Sequence, residues 1–122
     1  MKKTCLIVDD SELIRKLARS MLEELGFSCA DAGNGQLALD SCKNKMPSVV
    51  LLDWNMPVMN GLDFVKKLRQ MPEAKGTKVV FCTTESDASS IRKALDAGAD
   101  EYIIKPFDRE ILRGKFEYIG VL

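Results

Sequence analysis

A chain of 122 residues fits one domain and can bury roughly two thirds of the surface its unfolded form exposes, so it needs neither a disulfide nor a metal to fold. With 18 Lys+Arg against 18 Asp+Glu the formal net charge is +0, which gives no bulk electrostatic reason to expect nucleic acid or an anionic membrane as partner. Histidine is absent, which excludes a Ser-His-Asp triad, a His-ligated zinc site and a phosphohistidine on this chain.

Cys5-Leu6-Ile7-Val8 reads as a short apolar strand, cut off by Asp9-Asp10 too early for a signal peptide core or a membrane span. Residues 11–25 then place Leu13, Ile14, Leu17, Met21, Leu22 and Leu25 on one helical face, and Gly26 is the stop signal. Residues 27–32 alternate weakly and carry Asp31 near their end; Asn34-Gly35 opens a second helix through Leu37, Ala38 and Cys42 toward Pro47. Val49-Val50-Leu51-Leu52 is a continuous apolar run, the mark of a strand buried on both faces, and it delivers one carboxylate, Asp53, to its C-terminal tip. The loop 54–61, with Pro57 inside it, leads into a helix over 62–70 closed by Pro72. Residues 78–82 form a fourth strand that exits through Thr83, Thr84, Glu85 and Ser86 into a helix from about 86 to 97, ended by Gly98. Residues 101–104 form a fifth strand, Lys105-Pro106 breaks it, and Asp108 caps a last helix toward Ile119 whose end Gly114 weakens. A tight turn that aims Lys105 inward is where a cis X-Pro bond is found, although the sequence leaves the isomer open.

Five strand–helix units with short connections predict an α/β fold, a doubly wound parallel sheet with helices on both faces, occupying residues 1–122 as one domain. Cys5, Cys29, Cys42 and Cys82 have no metal-binding spacing and read as small apolar side chains of a cytoplasmic protein in a reducing compartment.

In such a sheet the functional crevice lies beyond the C-terminal strand ends. Those ends bring Asp9, Asp10, Asp31, Asp53, Thr83 and Lys105 to one edge. Asp9, Asp10 and Asp53 would repel one another unless a cation sat between them, and hard oxygen donors in small number suit magnesium, with manganese the alternative. A carboxylate beside such an ion can attack phosphorus; Lys105 supplies a positive charge to the phosphoryl oxygens and Thr83 a hydroxyl donor. Taken singly, Asp10 or Ser11 is also a helix cap, Thr83 a strand-end hydroxyl and Lys105 a solvated charge; the phosphoryl reading rests on their coincidence.

This pattern resembles the receiver domains of bacterial two-component response regulators along the whole chain. The resemblance is carried by Asp9-Asp10, by Leu51-Leu52-Asp53-Trp54-Asn55-Met56-Pro57 with Gly61 after it, by Thr83 and by Lys105-Pro106. It implies a flavodoxin-like sheet of order 2-1-3-4-5, and Asp53 as acceptor of phosphate from a histidine kinase, a phosphotransfer protein or a small phosphodonor. Magnesium would be held by Asp10, Asp53 and the backbone carbonyl of Asn55, with Asp9 acting through metal-bound water. The resemblance also implies a switch through Thr83 and Tyr102, and hydrolysis tuned by Asn55 and Glu85. The output would be a protein effector bound on the fourth helix, fifth strand and fifth helix, in chemotaxis or motility signalling, without direct DNA binding or membrane insertion. Ser11 stands where the chemotaxis members carry an aromatic, and Thr84 is bulkier than the alanine that follows their switch threonine.

A phosphorelay intermediate or a phosphate sink for a shared kinase is the alternative within this family. A flavodoxin-like electron carrier shares the sheet order but needs a neutral phosphate loop where Asp9-Asp10-Ser11 stands, and an aspartate phosphatase wants an acid where Asn55 stands. The chain would be a signalling phosphoacceptor that catalyses only its own phosphorylation and dephosphorylation. Lys105, Arg109, Arg113 and Lys115 suit either an anionic ligand or, more simply, a solvated helix face.

Overall fold

The structure, a computed structural model, describes residues 3–84 and 87–122. Along the chain run β1 (Thr4–Val8), α1 (Glu12–Glu24), β2 (Ser28–Ala32), α2 (Gly35–Asn44), β3 (Val49–Leu52), α3 (Gly61–Leu68), a single 3-10 turn Pro72–Ala74, β4 (Lys78–Thr83), α4 (Ala88–Ala97), β5 (Glu101–Ile104) and α5 (Arg109–Tyr118). The strands form one sheet of order β2-β1-β3-β4-β5, every neighbouring pair parallel. The doubly wound α/β architecture read from the sequence is the one observed.

Alternation along the strands separates two cores. Leu6, Val8, Val50, Leu52, Val79 and Phe81 pack with α2, α3 and α4, whereas Cys5, Ile7, Val49, Leu51, Val80 and Cys82 pack with α1 and α5. β3 is buried along its whole length, as its unbroken apolar run requires. Cys5, Cys42 and Cys82 are buried thiols and Cys29 is half-buried; none is in a disulfide.

The helix starts are set by side-chain caps, Ser11, Asn34, Asn60, Asp87 and Asp108 each accepting a backbone N–H three residues on. Gly26 and Gly98 follow α1 and α4 at φ 95° and 118°, a conformation that favours glycine.

Several boundaries differ from the sequence reading for local reasons. Phe27 does not open β2, because its N–H donates to Leu22 O and its ring turns edge-on to Phe116. Asn60 starts α3 at Gly61 rather than Leu62, and the helix ends at Leu68 because Gln70 N already bonds to Lys67 O in a tighter turn. The cap at Asp87 starts α4 at Ala88; the expected start at Ser86 lies outside the described residues.

Candidate functional site

The strand order reverses between β1 and β3, so the crevice opens where these two strands end. Asp9 and Asp10 follow Val8, and Asp53 follows Leu52 with its N–H donating to Val8 O at 2.8 Å, which locks the two exits together. Asp9 is buried, Asp53 half-buried and Asp10 exposed, and one carboxylate oxygen from each lies within 4.8 Å of the others. Among the described residues this is the one cluster that could hold a metal ion.

Lys105 reaches the same point from the turn after β5, where Lys105-Pro106 is a cis peptide. Its Nζ lies 2.7 Å from Asp9 Oδ2 and 3.4 Å from Asp53 Oδ1, and its backbone N–H donates to Thr83 O at 2.8 Å. Thr83 ends β4 with 1% of its surface exposed, so it is a core hydroxyl rather than a solvated one. Asp9 Oδ1 also accepts from Ser11 N at 2.9 Å.

Burial pushes the Asp53 carboxyl above its ordinary value; the Lys105 ammonium opposes this and the Asp9 charge adds to it. Burial alone would lower the Lys105 ammonium, but the hydrogen bond to Asp9 and the charges of Asp53 and Asp9 outweigh it and hold Lys105 protonated above its ordinary range. Three carboxylates facing one ammonium leave negative charge in excess. A hard, all-oxygen donor set in a crevice fits magnesium or manganese, and would suit soft-ligand metals poorly.

The loop after β3 is shaped around Asp53. Gly61 N donates to Trp54 O at 2.8 Å, and a Cβ on Gly61 would stand 2.3 Å from Asp53 O. Val58 adopts φ 68°, the centre of a γ-turn closed by Met59 N to Pro57 O at 2.7 Å, and Met59 O accepts from Gly35 N at 3.0 Å, tying the loop to α2. Asn55 sits exposed on this loop, and half-buried Trp54 packs against Phe81 at a ring-centroid distance of 5.4 Å. Tyr102 lies 6% exposed in the core shared by α2, α3 and α4. Thr84 is exposed, and Glu85 lies outside the described residues.

Of the C-terminal basic residues Lys105, Arg109, Arg113 and Lys115, three have acidic partners and Arg113 is exposed. Arg109 pairs with Glu24, Lys115 with Glu101 at 3.4 Å, and Lys105 with the acidic cluster. Two features escaped the sequence reading. Arg15, one helical turn after Ser11, bridges Asp9 and Asp31. An apolar groove of about 340 Å³, with Ile14, Leu17 and Met21 on one wall and Pro106 and Phe107 on the other, opens beside Lys105. The helical spacing of Ile14, Leu17 and Met21 was visible in the sequence, but not that Phe107 stands opposite them.

A family model for the response regulator receiver domain matches residues 5–117. The chemotaxis protein CheY1 of Helicobacter pylori is 38% identical over 116 residues, spanning 93% of this chain and 94% of that protein. A chemotaxis protein CheY homolog of Campylobacter jejuni is 39% identical over 114 residues, 92% and 88% of the two chains. Among solved structures, Vibrio cholerae CheY4 superimposes with a TM-score of 0.92 at 31% identity, covering 98% of this chain and 99% of that one. The CheX–CheY complex of Borrelia burgdorferi with BeF3 and magnesium matches with a TM-score of 0.86 at 27% identity, over 95% and 88%.

Proposed function

Since this chain belongs to the response regulator receiver domain family, we propose that Asp53 is its phosphoacceptor and that phosphorylation switches a protein-binding face in chemotaxis signalling. The observation that carries the reading is the Lys105 ammonium, 2.7 Å from Asp9 and 3.4 Å from Asp53, with Asp10 closing the cluster.

An Asp53 carboxylate oxygen attacks the phosphorus of the donor. The new P–O bond makes an acyl phosphate, while the bond from phosphorus to the donor breaks and its electron pair leaves with the donor. Because the chain has no histidine, a phosphohistidine donor must be another protein, a kinase or phosphotransfer protein; the apolar groove beside Lys105 supports a protein approaching this edge. Lys105 neutralises the charge developing on the phosphoryl oxygens, and the Thr83 hydroxyl is the donor that follows it. Asp9, Asp10, Asp53 and the carbonyl of Asn55 would hold magnesium or manganese, which when bound offsets the repulsion between carboxylate and phosphoryl group.

Thr83 and Tyr102, on adjacent strands β4 and β5, are the switch pair that would pass the change to the α4–β5–α5 face. Leu95 of α4, Ile104 of β5 and Ile111 and Tyr118 of α5 are exposed apolar side chains, which supports contact with a protein effector through these elements. Asn55 and Glu85 would set the lifetime of the phosphorylated state. Among the described residues no helix is long and apolar enough to cross a membrane, which fits the cytoplasmic compartment where a kinase would meet this chain.

Intact mass and Trp54 fluorescence after adding acetyl phosphate, with and without magnesium, test the proposal against Asp53→Asn. Gain of one phosphoryl group that needs magnesium and is lost in the variant is expected. Absence of any gain in the unsubstituted chain sinks the phosphoacceptor reading. Return of the phosphoryl group to a phosphotransfer protein would favour a relay intermediate or phosphate sink over an effector switch.

A further inference from the structure

Asp31 is the strand-end carboxylate that the acidic cluster does not use. It is the penultimate residue of β2, opposite Ile7 and one residue before Ala32, which pairs with the end of β1 at Val8. Arg15 Nε donates to Asp31 Oδ2 at 3.1 Å, and Arg19 stands 3.8 Å from Oδ1. The same Arg15 guanidinium donates through Nη1 to the backbone carbonyl of Asp9 at 2.6 Å. That carbonyl belongs to the peptide joining Asp9 to Asp10. One planar group therefore spans two acceptors, and its side chain is only 18% exposed. Gly33 lies against the guanidinium, where a Cβ would stand in ordinary contact, 3.5 Å from Nη1.

We propose that Arg15 is a positioning residue for the metal site: it holds the Asp9–Asp10 peptide so that both carboxylates face Asp53, and Asp31 holds Arg15 in that orientation. The inference rests on the magnesium reading above. Its sign separates it from simpler accounts. A guanidinium beside a cation site repels the cation, so loss of its charge alone should tighten magnesium binding. A residue serving stability alone would lower the melting temperature and leave the affinity of the folded protein unchanged. Only positioning predicts weaker binding when the positive charge is removed.

Lysine keeps the charge but cannot serve two acceptors with a fixed fork, so Arg15→Lys isolates geometry from charge. Calorimetric titration of magnesium into the unsubstituted chain, Arg15→Lys, Arg15→Met and Asp31→Asn, with thermal melts in chelator, tests the proposal. Groups that orient metal ligands carry roughly tenfold effects on affinity, so Arg15→Lys and Arg15→Met should each weaken magnesium about tenfold. Asp31→Asn keeps the contact to Asp9 and should weaken it less. Unchanged or tighter binding by both Arg15 variants overturns the inference while the magnesium reading stands. If the unsubstituted chain gives no binding heat and no magnesium-dependent rise in melting temperature, the magnesium reading fails and the inference falls with it.

Discussion

Gly61→Ala tests whether the loop after β3 is built to the tolerance its geometry indicates. The added Cβ would stand 2.3 Å from Asp53 O, 2.9 Å from Phe81 Cε1 and 3.1 Å from Trp54 Cα. Two of these neighbours are backbone atoms and cannot rotate aside, so the chain must move by about 1 Å to restore ordinary contact. Overpacking of this kind costs about 1–3 kcal/mol. Alanine in place of glycine at the first position of α3 returns part of that, about 0.5 kcal/mol, through helix propensity and unfolded-chain entropy. The net loss of about 0.5–2.5 kcal/mol corresponds to a fall in melting temperature of roughly 2–12 °C for a domain of this size. Because the displaced carbonyl is that of Asp53, magnesium-dependent phosphoryl gain should fall as well, at a temperature where the variant is still folded. Gly114→Ala is the matched control: a Cβ there meets nothing within 4 Å inside α5, and it should stabilise the chain by about 1 kcal/mol. Thermal melts by circular dichroism and intact mass read both effects. Equal melting temperatures and equal phosphoryl gain for Gly61→Ala and the unsubstituted chain would refute the reasoning.

Lys105→Met removes the cation between Asp9 and Asp53, so magnesium should bind more tightly while phosphoryl uptake slows about tenfold or more; both quantities moving in the same direction would contradict the assigned role. Val58 at φ 68° is strained for a β-branched residue, and Val58→Asn should raise stability by about 1 kcal/mol in urea titrations, no gain arguing against the strain. Burial raises the Cys42 and Cys82 thiols from 9.0 to about 11 and about 12 and pushes Cys5 higher still. The unfolded chain loses these protons from 9.0 upward while the folded one keeps them, so stability is full below pH 9.0 and falls between 9.0 and about 11. Each thiol contributes about 1.4 kcal/mol per pH unit to that slope. Denaturant titrations at several pH values should show the slope flattening in Cys→Ala variants at these three positions, over a residual slope from Cys29 and Lys105, both raised and so losing their own contributions in the same direction; an unaltered slope would place the thiols elsewhere.

The parts of the site written in consecutive residues were legible. The unbroken run of β3, four residues long, β-branched at its start and stopped by Asp53, reads as a strand buried on both faces, and all four residues are buried. Asp9-Asp10 and Lys105-Pro106 announced themselves as charges stopping apolar strands, and strand-end logic brought them to one edge. What the sequence withheld was tertiary. Nothing in Thr83 alone says that its hydroxyl is in the core, because burial there depends on the elements that cover the end of β4. Tyr102 alternates with Ile103 in a way that permits either face, and only the packing of α4 decides that its ring lies inside. Arg15 has the look of a solvated helix residue until β2 brings Asp31 beside it. Boundary errors have the same origin, since Phe27 is a good strand former drawn away by Phe116.

Each end of the sheet carries a bridging guanidinium, but only one carries a carboxylate cluster. At the C-terminal end, carboxylates face one another across β1 and β3, an arrangement that burial makes unfavourable and one ammonium only partly offsets. At the other end, Arg69 leaves α3 and donates to Gly98 O at 3.0 Å, to Ala74 O at 2.9 Å, to Thr77 O at 2.8 Å and to Asp100 Oδ2 at 2.9 Å. Asp100 Oδ2 in turn accepts from Val79 N at 2.8 Å. A single guanidinium thus joins α3, the 3-10 turn, the end of α4 and the start of β4, and the close approach of Gly98, where a Cβ would stand 2.7 Å from Arg69 Cγ, makes room for it. These contacts are part-buried, and charge-assisted hydrogen bonds are stronger than neutral ones. Arg15 bridges in the same way at the crevice end, but it reaches Asp31 and the Asp9 backbone carbonyl rather than the three clustered carboxylates, so their mutual repulsion is left to Lys105 to offset.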